Sequence, residues 1–373
     1  MILKNVCFYN EVFEKEVADF RIENGRITEI GIMDEPGRDM SGLTALPGFI
    51  DIHIHGGAGS DFSDASVEAV DAISCYLAKC GVTSFCGTSM TLDNETLTKI
   101  VKCAREYMGK ETGAKLVGIN LEGPFLSYEK KGAQNGAFVR SGTLAEFNQL
   151  FADSGESVKI ITIAPEAFDS GAFIKEASKK CAVAIGHTSA NSDQAQKAID
   201  LGITHATHLY NAMTGMTHRE AGVVGTVMDN EKVMCELICD GGHVCPAVVR
   251  NTFKILGADR VCVISDSMRG AGLGAGEFDL GGQTTYVHEN GKYAVLKDGT
   301  IAASITNVFD EFKNLLDFGI DFKTALKSCT INPARAIGLQ EEIGSLAPNK
   351  AADIVFVDES LNIKEVYIYG TRA

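Results

Sequence analysis

The sequence predicts an α/β protein, a (β/α)8 TIM barrel with a small β-sandwich domain formed from both chain ends. Three observations lead there. Short β-branched runs alternate with helical patterns through the middle of the chain. Nearly every run ends in histidine, glutamate, asparagine or aspartate, and both chain ends carry short alternating strands. Strands separated by helices imply parallel βαβ units. Eight of them fit a closed barrel, whose strand ends converge on one face. An open doubly wound sheet also fits the alternation, but its strand ends lie in a row and cannot all meet.

The elements follow in order. MILKNVCFYN, EKEVADFRIEN and GRITEIGIM alternate apolar and polar residues, and Asn24-Gly25 signals a hairpin turn. Residues 1–45 are thus the first part of the sandwich. The barrel spans 46–340 and opens with ALPGFIDIHIHG. GVTSFCGTSMT, KLVGINLEGPF, KIITIAPE, AVAIGHTSA, ITHATHLYNAM, MCELICDGGH and VCVISDSM supply its other strands. SVEAVDAISCYLAKC, NETLTKIVKCAREYMG and AFIKEASKK read as helices between them. KAADIVFVDES and IKEVYIYGTRA, within 341–373, return to the sandwich. Loop-closure entropy grows slowly with length, so pairing distant ends is not prohibitive.

Composition excludes several classes. The chain has 373 residues, 45% hydrophobic and 22% charged, which rules out disorder, collagen-like repeats and a small disulfide scaffold. No apolar run reaches the ~18 residues of a membrane span. Asp plus Glu number 49 against 34 Lys plus Arg, a net charge of −15. That balance argues against nucleic acid and anionic membrane as partners, while leaving room for one small anion in a local basic pocket. Eleven cysteines without a C-x-x-C pair read as reduced thiols of a cytoplasmic protein. The acidic N-terminus lacks the apolar core of a signal peptide. No phosphate loop or dinucleotide fingerprint follows a strand, so no nucleotide cofactor is expected. The glycine clusters HGGAGSD and GAGLGAGEFDLGG read equally as site loops or plain turns.

Strand ends hold the chemistry. His53 and His55 are two apart, so on a strand both imidazoles project to one face. Alone, the pair fits mutual hydrogen bonding as well as a metal site. Glu122, His187, His208 and Asp266 take the same place at later strand ends. His205, three residues before His208, points to the other face and reads as part of a polar layer. So many partly buried ionisable groups would be costly unpaired. A divalent metal removes that cost, and zinc or ferrous iron accepts this mix of nitrogen and oxygen ligands.

LPGFIDIHIHG, NLEGPF, TIAPE, GHT, THLYNAM, DGGH, SDSM, GAGL and EIGSLAPNKAADIV occur in one order over almost the whole chain. With them the sequence resembles the amidohydrolase superfamily and, within it, the N-acetylglucosamine-6-phosphate deacetylase family. The resemblance implies metal-dependent removal of the acetyl group of N-acetyl-D-glucosamine 6-phosphate, with metal-bound hydroxide as nucleophile and Asp266 as general base, then acid. It makes Glu122, His187 and His208 ligands of a principal ion, and His53 and His55 the pair that helps hold a second, so one or two zinc or iron ions per subunit. It places Asn211, Ala212 and His243 on the phosphorylated amino sugar. Arg219 would reach the phosphate from the neighbouring subunit of a homodimer.

Two positions depart from the pattern. Gln134 stands where the family usually has a histidine that helps polarise the acetyl carbonyl. Arg269 replaces a usually small residue close to Asp266, where a cation would depress the aspartate's pKa, bind another anionic group, or point to solvent. These departures keep open an amidohydrolase acting on another N-acyl amino sugar or other amide. The absence of a lysine at the end of IITIAPE argues against the branch that bridges metals with a carboxylated lysine. A non-catalytic sugar-phosphate binding protein is disfavoured because Glu122, His187, His208 and Asp266 are all present.

Overall fold

The structure is a computed structural model that describes residues 1–373. Eight parallel strands form one sheet in sequential order: Phe49–Ile54, Val82–Ser89, Lys115–Glu122, Val158–Ile163, Ala182–Ile185, His205–Ala206, Met234–Leu237 and Val261–Val263. Each coincides with one of the β-branched runs. Every residue of Val82–Ser89 is buried, as expected of a parallel strand covered on both faces. No regular ladder joins the last strand to the first. The seam closes instead through Asp266 N–H to His53 O (2.9 Å) and His55 N–H to Ser267 O (2.9 Å). The buried Asp51 carboxylate completes it, accepting from the Ser265 N–H (3.3 Å) and hydroxyl.

The helices start where side chains cap free backbone N–H groups. Val67–Lys79 is capped by Ser66, Asn94–Tyr107 by Asp93, Leu144–Asp153 by Thr143, and Ser192–Leu201 by Asn191 in a capping box with Gln194. Their apolar faces pack on the outside of the barrel. The lower interior is filled by Ile50, Ile52, Cys86, Ile160, Ala184, Ile238, Cys262 and Ile264. This plug leaves only the upper end open to hold polar groups.

Both chain ends meet in a second sheet. Ile2–Tyr9, Lys15–Glu23, Arg26–Gly31 and Thr44–Pro47 join Ile354–Val357, Ile363–Ile368 and Thr371–Arg372. The hairpin between the second and third of these turns at Asn24 and Gly25, both at positive φ (51° and 78°), the backbone that an Asn-Gly turn supplies. Leu3, Phe8, Phe20, Ile27, Ile354 and Phe356 share one buried core, so strands from opposite ends of the chain stabilise each other.

One element departs from the sequence reading. Gly276–Leu280, Gln283–Val287, Tyr293–Leu296 and Ile301–Ser304 form a four-stranded antiparallel sheet inserted between the last barrel strand and the helix Val308–Asp317. Much of GAGLGAGEFDLGG, read above as loop, begins this insert. Its last strand lies along the rim, with Ser304 N–H to Asp266 O (2.9 Å) and Met268 N–H to Ser304 O (3.2 Å). All eleven cysteines are free thiols. No helix is long and apolar enough to cross a membrane.

Candidate metal centre and active site

The polar strand ends converge at the mouth of the barrel on a cavity of about 270 Å³. Glu122, at the end of the third strand, is its hub. Oε1 of Glu122 lies 3.0 Å from His187 Nε2 and 2.8 Å from His208 Nε2. Oε2 lies 3.2 Å from His55 Nε2 and 2.6 Å from the Gln134 amide nitrogen. Asp266 Oδ1 faces the same space, 3.2 Å from His55 Nε2 and 3.7 Å from His53 Nε2. Two groups of donor atoms are close enough to hold an ion each: Glu122, His187 and His208, and His53, His55 and Asp266.

The backbone is arranged for this convergence. His187, His208 and Asp266 all have positive φ (47°, 29° and 46°). Non-glycine residues rarely adopt that region, and such strain concentrates at functional sites. The first strand shifts register between Asp51 and Ile54, and His53 and His55 both end inside the mouth.

Hydrogen bonds on the far nitrogens test whether this donor set fits a cation. His187 Nδ1 donates to Lys130 O (2.8 Å) and His55 Nδ1 to Thr88 O (3.2 Å). His53 Nδ1 donates to Glu236 Oε2 (2.8 Å). In a neutral imidazole with Nδ1 as donor, Nε2 carries a lone pair. Those lone pairs face carboxylate oxygens: His187 Nε2 lies 3.0 Å from Glu122 Oε1, and His55 Nε2 lies 3.2 Å from both Glu122 Oε2 and Asp266 Oδ1. His53 Nε2, fully buried, has no hydrogen-bond partner. Such acceptor-to-acceptor contacts suit a shared cation, and partners that orient the far nitrogen are the usual support of histidine ligands.

The titration behaviour agrees. Burial works to raise the Glu122 carboxyl, but the charge of His53 and the bonds from His187 and His208 outweigh it and hold it well below its ordinary value. Asp266 is lowered likewise, with burial opposed by His53 and His55. Burial disfavours charge on His55, yet Asp266 and Glu122 raise it to about 10. The pocket is thus built for positive charge between its carboxylates, supplied by protons when no metal ion is bound.

Of the substrate candidates, Gln134, Asn211, Ala212 and His243 line the cavity. His243 is held by Asp240, whose Oδ2 accepts from Nδ1 at 2.7 Å. The Gln134 oxygen accepts from Thr91 N–H (2.7 Å), so its carboxamide ties Thr91 to Glu122. Arg219 is exposed and lies outside the cavity of its own chain. Arg269 does not reach the cavity either. Its guanidinium pairs with Asp64 (2.8 Å) and donates to Asp279 O (2.9 Å), fastening the insert to the loop after the first strand. It therefore neither binds an anionic group there nor points freely to solvent.

Sequence reasoning missed several residues. Glu236, in MCELICD, reads as an ordinary strand residue, but it is fully buried and bonds His53, His205 and the His208 backbone. A lone glutamate inside an apolar run was the available signal. His205 sits in the polar layer with it and is outside both ligand groups. Lys130 lines the cavity, and Thr300, Ile301 and Ala302 do so from the insert. Glu166, in the turn after the fourth strand, accepts from the Thr188 hydroxyl and Ser189 N–H (both 2.6 Å) and steadies the loop that carries His187.

The sequence model of the amidohydrolase family matches residues 44–373. The N-acetylglucosamine-6-phosphate deacetylase of Bacillus subtilis (strain 168) is 37% identical over 324 residues, covering 85% of this chain and 81% of that protein. The N-acetylgalactosamine-6-phosphate deacetylase of Escherichia coli O157:H7 is 31% identical over 358 residues, covering 95% and 94%. Among solved structures, a mutant of the Mycobacterium smegmatis N-acetyl-D-glucosamine-6-phosphate deacetylase in complex with N-acetyl-D-glucosamine-6-phosphate superposes with a TM-score of 0.92. It is 29% identical and covers 100% of this chain and 98% of its own.

Proposed function

The chain belongs to the amidohydrolase family, and we propose that it is the member that hydrolyses the acetamide of N-acetyl-D-glucosamine 6-phosphate, giving D-glucosamine 6-phosphate and acetate. One observation carries this reading: Glu122, His187, His208 and Asp266 meet on one cavity, in a chain similar over most of its length to deacetylases of that class. Glu122, His187 and His208 would hold the principal divalent ion, zinc or iron. His53, His55 and Asp266 would hold a second where one binds. A divalent ion there polarises an amide carbonyl and lowers the pKa of bound water to around 7.

The chain's own residues do the rest. Asp266, kept ionised by its imidazole neighbours, takes a proton from the attacking water and returns it to the departing amine. An amine is a poor leaving group until protonated, so one carboxylate serves both halves of the reaction. His243, fixed by Asp240, and Asn211 with the Ala212 backbone bind the sugar phosphate. Lys130 is on the wall of the same cavity, and its ammonium would be a further cation for the phosphate.

Arg219 would complete the phosphate site from the neighbouring subunit of a homodimer. Support comes from its exposure on a loop outside its own cavity, and from Met216 and Ile255, two exposed apolar residues (58% and 53%) beside the groove that adjoins Tyr210. A guanidinium pairs well with phosphate and supplies the cation that a net-acidic chain needs. The free thiols support a cytoplasmic enzyme.

The test is acetate release by metal-loaded enzyme from the 6-phosphates of N-acetylglucosamine and N-acetylgalactosamine and from unphosphorylated N-acetylglucosamine, with Asp266→Asn as control. Release that needs both Asp266 and the phosphate, fastest with the gluco sugar, is expected. Preference for the galacto epimer moves the substrate to that sugar. No release from folded, metal-bound protein overturns the deacetylase reading.

A further inference from the structure

Glu236 takes no part in the chemistry just described, yet it is among the most thoroughly buried carboxylates of the barrel, with no exposed surface. It sits in the seventh strand between Met234 and Ile238, both of which pack toward the barrel interior. An ionised carboxylate in such a place is costly unless fully hydrogen-bonded. Three donors satisfy it. Oε2 accepts from His53 Nδ1 (2.8 Å) and from the His208 backbone N–H (3.1 Å), and Oε1 accepts from His205 Nε2 (3.1 Å).

The bond to His53 decides what that imidazole offers the cavity. In the neutral form that can bind a metal, the proton stays on Nδ1 and the Nε2 lone pair is turned toward Glu122 Oε1 (3.6 Å) and Asp266 Oδ1 (3.7 Å), where it has no hydrogen-bond partner. Without Glu236, the favourable arrangement reverses. The proton moves to Nε2, where two carboxylates wait to accept it, and the coordinating lone pair is lost. His55 is set independently by Thr88 O, and His187 by Lys130 O. Loss of Glu236 therefore takes the ring partner from His53, whereas in the other group it removes only a bond to the His208 backbone N–H (3.1 Å) and leaves every ligand ring untouched.

We infer that Glu236 is a positioning residue that holds His53 in its metal-ready tautomer, and so determines whether a second divalent ion is retained beside Asp266. The inference rests on the metal-centre reading above. It also separates acceptor geometry from charge. Glu236→Gln can keep an oxygen at the Oε2 position for His53 and His208, because a neutral His205 can switch tautomer to accept from the new amide. Glu236→Met removes the acceptor at similar volume. Glu236→Asp keeps the charge but withdraws the oxygens by one methylene.

The experiment is titration of chelator-stripped protein with Co(II), followed by visible absorption and equilibrium dialysis, with circular dichroism and metal-free melting as folding controls. The wild type should bind two Co(II) per chain. In Glu236→Met and Glu236→Asp the weaker site should lose roughly 10–100-fold in affinity while the tighter site changes by less than about 3-fold. Glu236→Gln should retain most of the second site. If Met does not fold, the Asp and Gln pair carries the comparison. Equal weakening of both ions, an unchanged second site in Asp, or a Gln variant as defective as Asp would each overturn the inference. A wild type that binds one Co(II) also overturns it while leaving the principal site intact; one that binds none overturns the metal reading as well.

Discussion

Replacing Asp353 with asparagine should stabilise the metal-free fold at pH 8 and change it little at pH 4. Asp353 is buried where the closing sheet meets the barrel. Its backbone oxygen accepts from Gly48 N–H (2.9 Å) and its carboxylate from Tyr369 N–H (2.7 Å). Burial pushes its pKa from 3.8 up to about 7, against the smaller opposing effects of the Tyr369 N–H, Lys115 and Thr83. Between those two values the folded state keeps a proton that the unfolded state has released. Stability attributable to this group therefore falls as pH rises through the window and levels off above about pH 7. The shift spans about 3 pH units at about 1.4 kcal/mol each, so the full swing is at most ~4 kcal/mol. Asparagine keeps the acceptor for Tyr369 and has no charge to bury. Urea unfolding of both proteins in the presence of chelator, at pH 4 and pH 8, reads the difference directly. A gain of ~2–4 kcal/mol at pH 8 that shrinks below ~1 at pH 4 is expected from this linkage. An equal effect at both pH values, or a variant less stable at pH 8, would refute the assignment of the buried charge.

Other expectations concern activity. Mixing Arg219→Ala subunits with Asp266→Asn subunits should restore some active sites if the arginine crosses between subunits, and no recovery in a verified heterodimer would put phosphate binding within one chain. Gln134→His should raise kcat on the 6-phosphate substrate, since an imidazole can carry the positive charge that an amide lacks; an unchanged or lower value leaves Gln134 with the single task of holding Glu122. Lys130→Met should raise KM for the phosphorylated substrate with kcat changed little, the mark of lost uniform binding. Chelation should abolish acetate release and lower the melting temperature, because an ion bound only by the folded state stabilises it by mass action.

Local pattern was enough for much of the molecule. The eight barrel strands carry their own β-branched runs, and helices begin at caps such as Ser66, Asp93 and Asn191 that are visible in the sequence. The Asn24-Gly25 turn is equally local. The four-stranded insert was missed because its strands follow glycine-rich runs that serve as well for loops, and Asn290-Gly291, which turns one of its hairpins, lies among polar residues without a long apolar stripe.

The sequence by itself determined the alternation of strand and helix, the meeting of the two chain ends, and which side chains stand at strand ends, since periods of 2.0 and 3.6 are properties of neighbouring residues. Its family resemblance also singled out Glu122, His187, His208 and Asp266 as candidates, and these four line one cavity. Only the tertiary structure decided who touches whom. Glu236 lies 183 positions from His53 and reads in isolation as any strand residue; its role exists because barrel closure brings the first, sixth and seventh strands around one buried carboxylate. Arg269, suspicious in sequence for its nearness to Asp266, is turned outward by its pairing with Asp64, 205 positions away. Sequence order fixes neither distance nor direction across a closed barrel, where contacts depend on which way each side chain faces once the sheet has curled on itself.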